Sequence, residues 1–128
     1  MCDDLLISVI DDDGSAREAV AGLVRSLGFV VTEFESAADF LSSDALSRTA
    51  CLIADVRMPG MTGPELYTRL VASSTPIPTI LITAYADEAA RAYHLKGGIR
   101  CYLVKPLKPD ELLASIRSAI GDGKGKTE

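Results

Sequence analysis

Three apolar runs in this chain end in charged side chains of the kind that handle phosphate and divalent cations. Leu5-Leu6-Ile7-Ser8-Val9-Ile10 runs into Asp11-Asp12-Asp13, Cys51-Leu52-Ile53-Ala54 into Asp55, and Ile99 to Val104 into Lys105-Pro106. Short apolar runs bounded by turn residues and separated by helical patterns read as buried parallel strands. Open parallel sheets bind ligands just beyond the carboxyl ends of their strands, where the strand order reverses. Asp11, Asp12, Asp55 and Lys105 would then converge in one shallow pocket. Mg²⁺ takes octahedral oxygen ligands, usually one or two of them protein carboxylates. Asp12 and Asp55 would ligate directly, with Asp11 holding a coordinated water. A carboxylate can also accept a phosphoryl group as an acyl phosphate, and Asp55 is the candidate acceptor. Phosphoryl transfer needs mainly positioning and charge neutralisation, which Mg²⁺, Lys105 and the Thr83 hydroxyl would supply. Without a cation the clustered carboxylates repel, and at least one pKa rises.

Each feature has a plainer explanation when taken alone. An Asp triplet after an apolar run is usually a turn or a helix cap, a Lys-Pro a solvated pair before a turn, and a Thr at a strand end a cap for the next helix. Four such positions at successive strand ends, in the right order, favour the chemical reading for Asp11, Asp12, Asp55, Lys105 and Thr83. Ala84 is small enough to let phosphate oxygens approach. Asp13 reads as an exposed turn residue. His94, the only histidine, reads as a surface residue away from the pocket.

The elements that would position these residues follow from periodicity. Ala16, Ala19, Val20, Leu23, Val24 and Leu27 recur at helical spacing before a Gly28 stop. Phe29 to Phe34 reads as a strand. Ser36-Ala37-Ala38-Asp39 resembles a capped helix start, with Phe40, Leu41 and Leu46 carrying one helix toward the strand at 51–54. Pro64 suits the first turn of a helix with Leu66, Leu70 and Val71 on its apolar face. Thr79-Ile80-Leu81-Ile82 forms a strand ending at Thr83. A weaker helix over 87–96 closes at Gly97-Gly98, and the last opens near Pro109 and buries Leu112, Leu113, Ile116 and Ile120. Five strand–helix repeats imply an α/β fold, a doubly wound five-stranded parallel sheet with helices on both faces. Right-handed crossovers leave few topologies, among them the flavodoxin-like order 2-1-3-4-5 with its switch point between strands one and three. The reading is one domain over residues 1–120. Residues 121–128, glycine and charge with no apolar side chain, read as a flexible tail or the start of a linker.

Composition narrows the function classes. The 128 residues are 48% hydrophobic, ordinary for a globular protein, and no apolar run is long enough to cross a bilayer. Met1-Cys2-Asp3-Asp4 lacks the basic start of a secretory signal. A net charge of -5 and a pI near 4.8 argue against nucleic acid binding by this domain. Cys2, Cys51 and Cys101 show no CxxC spacing, and the latter two fall in predicted buried strands. They read as small hydrophobes in a reduced, cytoplasmic protein.

Val9-Ile10-Asp11-Asp12-Asp13, the run Asp55-Val56-Arg57-Met58-Pro59-Gly60-Met61-Thr62-Gly63-Pro64-Glu65-Leu66, Thr83-Ala84 and Tyr102-Leu103-Val104-Lys105-Pro106 together resemble the response regulator receiver domain of two-component signalling. The resemblance spans residues 5–120 and looks most similar to receivers of the nitrogen-fixation and nitrate-response group, whose output domain is a DNA-binding helix-turn-helix. It implies that Asp55 is the phosphoacceptor, supplied by a histidine kinase, a phosphotransfer protein or a small phosphodonor. It implies Mg²⁺ held by Asp11, Asp12, Asp55 and the backbone carbonyl of Arg57. Thr83 and Lys105 would bind the phosphoryl group, Lys105-Pro106 would be cis, and Tyr102 would turn inward as the Thr83 hydroxyl moves toward the phosphoryl group. Arg57 and Tyr85 stand two residues after Asp55 and Thr83, where side chains tune acyl-phosphate lifetime in this family, and their bulk would screen water. Gly97-Gly98-Ile99-Arg100-Cys101 departs from the family's usual run of small residues with an acidic one.

The function expected is a phosphorylation-controlled switch that changes a surface of fourth helix, fifth strand and fifth helix, including Arg91, His94 and Tyr102. Its partners would be the kinase and an output domain or partner, with a phosphorylation-linked homodimer as a further form. The domain would catalyse its own phosphorylation and dephosphorylation and turn over no independent substrate. One rival is a magnesium-dependent phosphohydrolase, whose second Asp two residues after the nucleophile is Arg57 here. Another is a flavodoxin-like nucleotide binder, which needs a hydroxyl- and glycine-rich first loop where this chain has Asp12-Asp13-Gly14-Ser15.

Overall fold

The computed structural model describes residues 5–125, with side chains to 121. Cys2, the reading of the first four residues and the last three residues lie outside them. Strand and helix alternate through β1 (Leu6–Ile10), α1 (Gly14–Ser26), β2 (Val30–Phe34), α2 (Ala37–Leu41), a 3₁₀ turn (Asp44–Ser47), β3 (Thr49–Asp55), α3 (Gly63–Ala72), β4 (Thr79–Thr83), α4 (Glu88–Lys96), β5 (Cys101–Val104) and α5 (Pro109–Gly125). All strand pairs are parallel and the order is β2-β1-β3-β4-β5, as expected.

Alternation along the strands splits the core in two, because successive side chains point to opposite faces. Ile7, Val9, Cys51, Ile53, Ile80, Ile82 and Leu103 face α1 and α5, which contribute Val20, Val24, Leu112, Ile116 and Ala119. Ile10, Leu52, Ala54, Leu81 and Tyr102 face the other way, toward Phe40 of α2 and Leu66 and Leu70 of α3. α4 has no buried residue, only Ala90 and Leu95 partly packed.

Local signals hold where the backbone alone decides them. Asp13 caps α1, accepting from the amides of Ser15 at 3.0 Å and Ala16 at 3.3 Å. Gly28 follows at φ 99°, a conformation that favours glycine. Ser36 caps α2 through the Asp39 amide, and Thr62 and Glu65 form a reciprocal capping box on α3.

Four readings need correction. The helix expected from Phe40 through Leu46 is interrupted, because Ser42 ends α2 and Ser43 caps a separate 3₁₀ turn. Val71 is 48% exposed: it lies about 140° around the helix from Leu66, off the Leu66–Leu70 ridge. Cys51 is buried, but Cys101 is only partly so. Leu112 and Ile116 of α5 are buried as expected, but Leu113 and Ile120 are only partly so, and the α5 backbone continues to Gly125. Extending a nucleated helix adds a hydrogen bond for each residue fixed, so it can outrun the apolar pattern.

Candidate functional site

The backbone beyond each strand makes one more ladder bond and so carries its functional residue to a common edge. The Asp11 amide donates to the Phe34 carbonyl at 3.2 Å, Val56 to Ile82 at 2.8 Å, and Lys105 to Thr83 at 2.7 Å. Asp11, Asp12, Asp55, Thr83, Ala84 and Lys105 therefore line one cavity of about 260 Å³, together with Asp13, Arg57 and Tyr85.

Lys105 ties the pocket together. Its Nζ lies 3.0 Å from Asp55 Oδ1 and 3.2 Å from Asp11 Oδ2, joining residues 94 positions apart in the chain. The other oxygens are held by backbone: Arg57 N–H donates to Asp55 Oδ2 at 3.1 Å, and Asp13 N–H to Asp11 Oδ1 at 3.0 Å. Asp11 and Asp55 are buried, whereas Asp12 is exposed and has no hydrogen bond or ion pair among the described residues. Burial pushes the Asp55 pKa above its usual 3.8; the Lys105 hydrogen bond opposes this and the Asp11 charge adds to it. Burial would lower the Lys105 pKa, but Asp55 and then Asp11 outweigh it and hold the ammonium above 10.5. The raised Asp55 pKa is therefore mainly an effect of burial, to which the neighbouring Asp11 charge adds.

One carboxylate oxygen from each of Asp11, Asp12 and Asp55 can be chosen so that all lie within 4.8 Å of one another. Hard oxygen donors in that span fit Mg²⁺, which takes few protein carboxylates and fills its shell with water and phosphate.

Thr83 and Tyr102 share a face of the sheet. Tyr102 pairs in register with Leu81, two residues before Thr83. The Thr83 oxygen accepts the Tyr85 N–H at 3.1 Å. Tyr102 is already inward, 7% exposed, and its ring lies 5.9 Å from that of His94, stacked at 20°. The inward ring and the Thr83–Tyr85 bond therefore coexist. His94 is away from the acidic pocket, as expected, but is half-buried by this stack rather than a free surface residue. Arg91 points outward to Glu88 at 3.9 Å. Lys105-Pro106 is cis.

Three features escaped sequence reasoning. Arg57 and Tyr85 are expected from the sequence to screen water by their bulk, but not to touch; the Arg57 Cζ sits 5.0 Å from the Tyr85 ring centroid, and both side chains line the pocket. A Cβ at Gly63 would stand 2.5 Å from the Asp55 carbonyl oxygen and 2.9 Å from Leu81 Cδ2. Only glycine lets α3 start so close to the acceptor strand. Arg17 reaches Asp11 from the first turns of α1, and its spacing to the Asp triplet was the available signal.

Residues 7–117 match the family model of the response regulator receiver domain. Transcriptional regulatory protein FixJ of Bradyrhizobium diazoefficiens is 40% identical over 114 residues, 89% of this chain and 56% of that protein. Response regulator protein TodT of Pseudomonas putida is 38% identical over 115 residues, 90% of this chain and 51% of that protein. The crystal structure of full-length FixJ from B. japonicum superposes with a TM-score of 0.82 at 39% identity, covering 95% of this chain and 60% of that one. The chain spans about half the length of the curated relatives it matches. Neither the phosphohydrolase nor the nucleotide-binder reading finds support in these likenesses.

Proposed function

The chain belongs to the response regulator receiver domain family, and on that premise we propose that Asp55 accepts a phosphoryl group from a histidine kinase or phosphotransfer protein and passes the change to the α4–β5–α5 surface. The observation that carries this reading is the Lys105 ammonium bridging Asp55 and Asp11 in a pocket whose three carboxylates also fit a divalent cation.

The roles follow from placement. Asp55 is the nucleophile, with Oδ1 on Lys105 and Oδ2 on the Arg57 amide, so its orientation is set before a donor arrives. Asp11, Asp12 and the Arg57 carbonyl would hold Mg²⁺ with Asp55. When bound, Mg²⁺ neutralises charge on the transferring group. Lys105 sits where it can turn from carboxylate to phosphoryl oxygen. Thr83 can do the same once it releases the Tyr85 amide, and Ala84 leaves room for the oxygens. The Arg57–Tyr85 contact narrows the path of attacking water.

A donor must reach Asp55 from outside. A groove lined by Ala16, Ala19, Val20 and Leu23 of α1 with Pro106 and Leu107 opens beside the pocket and shares Lys105 and Ala84 with it. An apolar helix lying there would present a phosphohistidine to Asp55. Phosphorylation adds roughly two negative charges and biases a two-state element; here that is Thr83 with Tyr102 and His94. We assign the receiver to residues 1–120, a cytoplasmic setting, regulation of an output domain or partner, a phosphorylation-linked homodimer, and no turnover of an independent substrate. Among the described residues no helix is long and apolar enough to cross a membrane.

The test is intact mass after incubation with acetyl phosphate and Mg²⁺. One phosphate adduct on the wild type and none on Asp55→Asn is expected. An adduct that survives the substitution sinks the assignment of Asp55.

A further inference from the structure

Arg17 has no part in the chemistry above, yet it touches the metal-binding turn. Its Nη1 donates to the Asp11 backbone carbonyl at 2.9 Å. Its Nε lies 3.3 Å from Glu33 Oε1 on β2, and Arg25 approaches the other Glu33 oxygen at 3.7 Å. The Arg17 side chain is 16% exposed, against 57% for Arg25.

What this contact fixes is the peptide joining Asp11 to Asp12. Asp11 is otherwise well held: its amide is bonded to Phe34, one side-chain oxygen to Asp13 and the other to Lys105. Asp12 has no side-chain partner among the described residues. The direction in which its carboxylate leaves the backbone therefore depends on the plane of the preceding peptide, whose oxygen Arg17 holds.

We propose that Arg17, braced by Glu33, is a positioning residue that sets the Asp11–Asp12 peptide so that Asp12 faces the cation site. The proposal rests on the reading of Asp11, Asp12 and Asp55 as a Mg²⁺ site. Mg²⁺ tolerates little departure from octahedral geometry, so a misaimed Asp12 weakens binding. The guanidinium suits the task because its planar fork serves the carbonyl and the carboxylate at once, which a lysine ammonium on a flexible stem does less well.

The sign of the effect separates positioning from charge. A cation near a cation site opposes Mg²⁺ by Coulomb repulsion, so removing Arg17 for charge reasons alone would tighten binding. Positioning predicts the reverse. The experiment is a Mg²⁺ titration of the ¹⁵N-labelled, unphosphorylated protein, following the amides of Asp12, Asp13 and Gly14, with thermal unfolding as the check on folding. Arg17→Met should weaken Mg²⁺ on the order of tenfold, as outer-shell substitutions do. Arg17→Lys, which keeps the charge and loses the fork, should weaken it less, and Arg25→Met should leave it unchanged. Mg²⁺ affinity equal to or tighter than wild type in folded Arg17→Met overturns the proposal. If that variant does not fold, wild-type affinity in Arg17→Lys overturns it instead. A wild type with no Mg²⁺ response overturns the reading of the site and this proposal with it. A wild type that binds beside an unaffected Arg17 variant overturns the proposal alone.

Discussion

The two faces of the sheet are built differently. On one, α1 and α5 press Val20, Val24, Leu112, Ile116 and Ala119 onto seven buried strand residues. On the other, α3 is anchored by Leu66 and Leu70, but beside it α4 buries nothing and lies over Tyr102 through the His94 ring. A buried Val, Leu or Ile contributes about 1.5–3 kcal/mol, so α1 and α5 are fixed by several such terms and α4, with only Ala90 and Leu95 partly packed, by none. Segments with few buried apolar contacts open and shift most easily. A signal that begins at the shared edge, at Asp55 and Thr83, therefore has a yielding route through α4 and a stiff one through α1 and α5.

The largest expected difference is in stability. Ile116→Ala, in the α5 face, should cost about 2–5 kcal/mol in urea unfolding, whereas Arg91→Ala on α4 should stay within about 0.5 kcal/mol. Equal losses would break the contrast.

Activation should show the same asymmetry. With beryllofluoride as phosphoryl mimic, amide exchange at Arg91, His94 and Tyr102 should change on the order of tenfold, a small population shift in a two-state element. Val20 and Val24 should hold steady. Thr83→Ala should still take phosphate at Asp55 while losing most of the α4 response. If its response equals that of the wild type, the signal leaves by another route.

At the shared edge, the Arg57–Tyr85 contact should govern how long the acyl phosphate lasts. A cation–π contact at an exposed site is worth about 0.5–1 kcal/mol, so Tyr85→Ala should shorten the lifetime by about two- to five-fold, and Tyr85→Phe, which keeps the ring face, should not. Decay of the intact-mass adduct measures both.

The smallest effect is in pH. Burial holds the Asp55 pKa above 3.8, so the folded state keeps that proton more tightly than the unfolded chain does. The stability this contributes is full below 3.8 and is lost as pH rises through the raised folded value. Asp55→Asn has no such loss. In metal-free buffer the variant's advantage over wild type should grow from about pH 3.5 toward neutrality, and Mg²⁺, proposed above to bind the wild-type carboxylate, should shrink it. An advantage that is flat with pH would mean that Lys105 and the Arg57 amide cancel the burial of Asp55.

Burial also keeps Cys51 out of thiolate chemistry. Cys51 is pushed from 9.0 to about 12 by burial, then by Cys101, far from the thiolate range of a reactive cysteine.

What could be read directly was whatever depends on near neighbours in the chain. Strand ends at Ile10, Asp55 and Thr83, the cap at Ser36, the stop at Gly28 and the Pro64 start all rest on backbone preferences and on periods of two or 3.6 residues. Parallel pairing then places every strand's carboxyl end at one edge, so Asp11, Asp12, Asp55, Thr83 and Lys105 were legible as a set before their distances were known. The rest depended on register and on the direction of each side chain in space. Lys105 reaches both Asp11 and Asp55 because β4 sets its backbone at the sheet edge. The Val71 side chain turns to solvent because α3 chose the Leu66–Leu70 ridge. Tyr102 lies inward because β5 pairs it with Leu81 under His94. Arg57 meets Tyr85, and Arg17 meets Glu33, only after two loops and two strands come side by side. No local pattern carries that information, since the partners are strangers in sequence and neighbours only once the sheet has formed.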